Sequence, residues 1–174
     1  MEFSLDKSVE ILKNTPDALY AMLDGLSPEW IESNEGPETW SAFDIVGHLI
    51  HGEKTDWIPR MEIIMSEASH KHFEPFDRFA QLENSKGKTL QQLLAEFKEL
   101  RAQNISILQS KNIGKQDLNK IGIHPAFGEV TLANLLSTWV VHDLNHIGQI
   151  ARVMAKQYKQ ATGPWPPYLK ILNQ

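Results

Sequence analysis

Four stretches with helical spacing of apolar residues, the absence of any alternating strand pattern, and polar connections between them predict an all-α protein, most simply a four-helix bundle. The first helix is predicted over roughly Leu5 to Leu23, where Leu5, Val9, Leu12, Pro16, Leu19 and Leu23 recur at helical intervals, with Pro16 placed to kink it. The second starts after Trp40: Ser41 is the expected N-cap, Asp44 follows three residues later, and the pattern runs to about Met65 with Pro59 placed to bend or divide it. The third opens at Thr89, where Gln92 completes a capping-box pattern, and passes through Leu93, Leu94, Phe97, Leu100, Ile105 and Leu108 to about Ser110. The fourth runs from near Thr131 to about Lys159. Between them, Leu26 to Trp40, His70 to Lys88 and Lys111 to Val130 are rich in Gly, Pro, Asn, Asp or Ser and read as connections. Connections this long are often functional, and these are expected to cover one end of a cavity.

Residues 1–174 are expected to form a single domain: 41% are hydrophobic, and ten glycines and nine prolines leave enough regular structure to bury a core. Seventeen basic against twenty-two acidic residues give a formal charge of -5, with no basic stripe, so nucleic acid is excluded as an expected partner. The N-terminus shows no secretory pattern and no stretch is apolar enough to span a membrane, so a soluble, cytoplasmic protein is expected. With no cysteine, disulfides, a cysteine nucleophile and thiolate ligands are all excluded; a metal would be held by imidazole and oxygen.

Chemistry concentrates in Val141-His142-Asp143-Leu144-Asn145-His146-Ile147-Gly148-Gln149-Ile150, where two imidazoles four residues apart lie one turn apart on one helical face. At about 100° per residue, Leu132, Leu135, Leu136, Trp139, His142, His146, Ile150 and Val153 share a stripe. On the second helix Ile45, His48, Leu49, Gly52 and Asp56 do the same, which selects His48 as a third ligand and turns His51 towards a rim or the surface. Three neutral imidazoles suit a borderline divalent ion, zinc or nickel, and leave a coordination position open for substrate. The competing reading is three core histidines bonded to ordinary protein groups, although burying three polar rings is costly without partners.

His142-Asp143-Leu144-Asn145-His146 departs from the zincin peptidase pattern, because Asp143 replaces the glutamate that would be general base. Asp143 is expected instead to orient a ligand histidine or to bind a backbone donor. Glu53 and Asp56 are read as solvated or salt-bridged, with Asp56 better placed to reach the site. His70 and His72 are read as hydrated, and His124 as a substrate contact at the cavity mouth. Trp57, Trp139 and Trp165 are pocket or core residues, of which Trp139, one turn before His142, is expected to border the metal.

Trp40-Ser41 leading into Gly47-His48-Leu49, then Pro125-Ala126-Phe127-Gly128, the histidine pair followed by Gly148-Gln149-Ile150, and Gly163-Pro164-Trp165 with Tyr168-Leu169 are together similar to the DinB-like superfamily. The resemblance extends from about Trp40 to the C-terminus. It implies a bundle of up-down-down-up order with a divalent metal on His48, His142 and His146, the same three that the stripes select. It also implies a homodimer and, among related activities, metal-dependent transfer of a low-molecular-weight thiol, a thiol-using isomerase, or a metal-dependent hydrolase. The leading expectation is transfer of a thiol cosubstrate to an electrophilic small molecule. The alternatives are hydrolysis by metal-bound water and a non-catalytic metal or small-ligand binding stress protein.

Overall fold

A computed structural model describes residues 2–174. The first helix, α1 (Leu5–Leu23), is capped by Ser4 and runs unbroken through Pro16. A proline there donates no hydrogen bond to the carbonyl four residues back. That carbonyl, on Leu12, instead accepts from Arg101 Nη1 at 2.9 Å, so the gap in the ladder becomes a tertiary contact.

A single turn, α2 (Pro28–Glu32), sits in the first connection. The second predicted helix is two: α3 (Ala42–Thr55), opened by the capping box of Ser41 and Asp44, and α4 (Trp57–Met65). They part at Asp56 (φ -110, ψ -72), three residues before Pro59, because proline cannot bond the Thr55 carbonyl and crowds it. The second connection contains α5 (Ala80–Asn84), which lies so close to α3 that a Cβ on Gly47 would come within 2.5 Å of Ser85 Oγ. The long helices α6 (Leu90–Ser110) and α7 (Leu132–Gln157) start at the capping boxes of Thr89 with Gln92 and Thr131 with Asn134.

One expectation is corrected. The connection before α7 holds a hairpin, β1 (Ile121–His124) and β2 (Gly128–Thr131), paired antiparallel with Ile121 opposite Thr131. Strands of four residues are too short to display an alternation, which is why the sequence reads as a loop there. Gly122 lets the hairpin settle on α4 and the preceding loop, since a Cβ there would lie 2.6 Å from the Phe73 ring and 2.8 Å from Ile64.

In the bundle, α1 packs on α6 and α7, and α3 packs on the same two. The first and second long helices of the bundle, and the third and fourth, therefore sit across its diagonals, whereas the second and third are neighbours; crossing a diagonal takes a longer connection than an up-and-down bundle needs. Two apolar clusters fill the interior. One gathers Leu19, Leu23, Ile45, Leu49, Phe97 and Ile150, the other Leu12, Trp57, Met61, Ile105, Leu136 and Trp139. The residues of α3, α6 and α7 between them are Glu53, Arg101, Asn104 and Asp143, all buried, so a polar layer divides the core at mid-height. Among the described residues no helix is long and apolar enough to cross a membrane.

Candidate metal centre

At the level of that polar layer, α3 presents His48 and α7 presents His142 and His146 to one point. His48 Nε2 lies 3.0 Å from His142 Nε2, and His146 Nε2 lies 3.1 Å from the same atom. All three donor atoms lie within 4.8 Å of one another. Nitrogens about 2.0–2.1 Å from one tetrahedral ion stand about 3.3 Å apart, so the cluster has the dimensions of a three-imidazole site. His48 and His146 are buried and His142 half-buried.

The electrostatics fit a cation as well. Burial, reinforced by the neighbouring imidazoles, pushes His48 down to about 3 and His142 down to about 2. Burial lowers His146 too, against the hydrogen bond it donates to Gln149, which favours its charged form. All three are therefore neutral at pH 7, the state in which imidazole is a ligand. Gln149 Oε1 lies 2.8 Å from His146 Nδ1; accepting that proton fixes the tautomer that leaves Nε2 a free lone pair. His48 Nδ1 and His142 Nδ1 have no hydrogen-bond partner among the described residues.

The cluster forms part of the wall of a cavity of about 500 Å³. Trp40 packs on His48 with ring centroids 4.8 Å apart, Trp57 meets His142 edge-on at 5.1 Å, and Phe76 meets His48 at 5.5 Å. Asp56 and Arg60 enter the same cavity as an ion pair, 2.7 Å apart at an angle too oblique for a hydrogen bond. Burial pushes the Asp56 carboxyl up to about 6, with Arg60 opposing. His124 lines the mouth as its sequence position implies; its Nδ1 accepts from the Ala126 and Phe127 amides and its ring stacks on Phe127 at 4.4 Å.

Several expectations change. Asp143 is fully buried but holds neither a ligand histidine nor a backbone donor: both its oxygens accept from Arg101, at 2.5 and 2.9 Å. Glu53 is salt-bridged as one expectation had it, yet 2% exposed, accepting from Arg101, Asn104 and Trp139. That bond places Trp139 beneath the site, stacked on Trp57 at 5.8 Å, so Trp40 and Trp57 border the histidines instead. Trp165 is 62% exposed and belongs to neither pocket nor core. His51 stands off the cluster against Phe76, and His70 and His72 are exposed with rings 6.3 Å apart.

Trp40, Phe76, Arg78 and Arg101 are the site residues that sequence reasoning missed. Arg101 left a signal, since a charge between Phe97 and Ile105 interrupts an apolar stripe. The other three precede α3 or lie in the second connection, where no periodicity marks a direction.

A family model described as the DinB superfamily matches residues 11–150. Among solved structures the chain is similar to YfiT from Bacillus subtilis, described as a probable metal-dependent hydrolase with an unusual four-helix bundle topology. The two are 21% identical with a TM-score of 0.75, over 90% of each chain. TT2238, described as a four-helix bundle protein, is 18% identical with a TM-score of 0.56 over 85% of this chain and 98% of its own. A DinB-like protein from Bacillus cereus is 18% identical with a TM-score of 0.56, over 93% and 95% respectively. These likenesses establish the fold. No curated protein sequence matches the chain.

Proposed function

Since the chain belongs to the DinB superfamily, we propose that it is an enzyme whose His48, His142 and His146 hold a divalent ion, zinc or nickel, and that it transfers a low-molecular-weight thiol to an electrophilic small molecule. The observation that carries this reading is the convergence of three imidazole nitrogens in the wall of a largely aromatic cavity of about 500 Å³. An ion held by these three residues would supply Lewis acidity, which favours the nucleophilic, deprotonated form of a thiol whose free pKa is about 8.5. The protein contributes the rest. Burial keeps the three imidazoles neutral, Gln149 fixes one tautomer, and Trp40, Trp57 and Phe76 exclude water from the reacting sulfur. The sulfur must come from outside, because the chain has no cysteine. A homodimer, carried over from the family resemblance, is part of the same reading.

One observation favours a second reading, hydrolysis. Asp56 lies in the same cavity with its carboxyl raised to about 6, close to what a general base requires at neutral pH. The description of YfiT points the same way for that protein. A panel of haloalkane, epoxide and ester electrophiles, assayed with and without added thiol, separates the two. Thiol-dependent turnover that disappears on chelation and in His146→Ala is the expected result. Turnover indifferent to thiol decides for hydrolysis, and thiol transfer surviving both treatments overturns the metal-dependent reading.

A further inference from the structure

A second cavity, of about 790 Å³, also reaches the histidine cluster. Trp40, Arg78 and His146 line both spaces, and the Trp40 ring stands 4.8 Å from the His48 ring and 6.4 Å from the His146 ring. The two cavities differ in chemistry. Trp57, Phe73, Phe76, Phe127, Val130 and Leu135 dominate the first, whereas Glu35, Glu38, Asp44, Asn145, Gln149 and Arg152 mark the second.

Most charges of the second cavity are already satisfied. Glu35 is bound by Arg152 at 2.7 Å and by Lys156 at 2.8 Å, and Asp44 by Ser41. Glu38 and Arg78 have no ion-pair or hydrogen-bond partner among the described residues. The Arg78 guanidinium lies 5.7 Å from the Trp40 ring and 5.2 Å from the Phe79 ring, a stacked placement that leaves its donors available. Glu38 lies in the turn before Trp40, with φ 60, and its side chain is exposed to the second cavity.

We propose that the cavities are two substrate compartments meeting at His146: the aromatic one receives the electrophile, and the polar one an amino-acid-derived thiol with its carboxylate on Arg78 and its ammonium on Glu38. This rests on the thiol-transfer reading and specifies its cosubstrate. Free charges of both signs match a zwitterion, and a thiol entering from this side reaches His146 without crossing the space that the electrophile occupies. In the reaction a sulfur–carbon bond forms as the carbon–leaving-group bond breaks. The leaving group departs with the bonding pair and the thiol proton passes to solvent, so a thiol and a halide give a thioether and the hydrogen halide.

Equilibrium binding to the metal-loaded protein tests this without turnover. The probes are L-cysteine and, separately, monochlorobimane, which finds no protein thiol to alkylate. Glu38→Gln and Leu82→Trp alter the polar cavity at exposed positions, and Thr138→Trp fills the aromatic one. Glu38→Gln is expected to weaken cysteine about tenfold, the loss of one charged contact, and to leave the bimane affinity unchanged. Leu82→Trp acts likewise and Thr138→Trp in reverse, with metal content and circular dichroism unaltered. Cysteine binding insensitive to both polar-cavity variants, or equal loss of both probes in every variant, overturns the assignment. Two separable binding sites without thiol-dependent turnover would instead reject the proposed reaction while leaving the compartments in place.

Discussion

Arg101 links more of this molecule than any other side chain described above. Its guanidinium donates to Asp143 and Glu53 and to the Leu12 carbonyl, and so joins α7, α3 and α1 through α6. Asp143 is next to His142 in sequence, so this fork sets the rotation of α7 at the level where its imidazoles face the cavity. Burial raises the Glu53 carboxyl against the lowering effect of Arg101, which makes the arginine the group that keeps two buried carboxylates tolerable. Arg101→Ala is expected to destabilise the protein by about 3–5 kcal/mol in urea unfolding, because it leaves those carboxylates unpaired. Arg101→Lys should recover only part of the loss, since an ammonium cannot repeat the planar fork. A loss near zero for Arg101→Ala would show that the layer is solvated in solution.

At the scale of elements, prolines and caps decide where helices stop and which groups they release. Pro59 divides α3 from α4, and the turn at Asp56 carries a carboxylate into the cavity. The segment after α2 is tied to the far half of α7 by Glu35, which accepts from Arg152 through both oxygens and also meets Lys156. The Arg152 hydrogen bonds, with Lys156 helping against desolvation, hold the Glu35 carboxyl down to about 2, below its ordinary 4.5. A depressed carboxylate stabilises the fold above its unfolded pKa, and that contribution is lost as pH falls through the folded value. Glu35→Gln should therefore be less stable than the wild type at pH 7, with the gap closing between about pH 4.5 and 2. Urea titrations of both proteins across that range check it; a gap constant with pH would place the stabilisation elsewhere.

For the whole molecule, the histidine cluster joins α3 to α7 across an interface that two separate apolar clusters also hold. An ion bound only by the folded state at about a hundredfold its dissociation constant adds about 2.7 kcal/mol, or about 5–10 °C in a domain of this size. Differential scanning calorimetry should show that increment on metal addition, its removal by chelator and its absence in His146→Ala. An unchanged transition would mean that the three nitrogens bind no ion in solution. The same bundle explains why the family match begins at residue 11 when the recognisable motifs begin near Trp40. The earlier residues of α1 carry helix and core, for which many sequences serve, and none of the site's side chains.

The stripes on the second and fourth predicted helices selected His48, His142 and His146 and set His51 aside, because 3.6-residue periodicity relates sequence position directly to direction on a helix. Capping boxes located two helix starts to the residue, at Ser41 and Thr89, since each is a local hydrogen-bond pattern. Tertiary structure alone decided the partners. Asp143 and Glu53 found Arg101 forty-two and forty-eight residues away, and Trp40, Phe76 and Arg78 reached the histidines from segments without a period. Direction along a helix is a property of the helix itself, whereas the group that a side chain meets depends on how helices pack. That packing put two cavities of opposite character on either flank of one cluster of imidazoles.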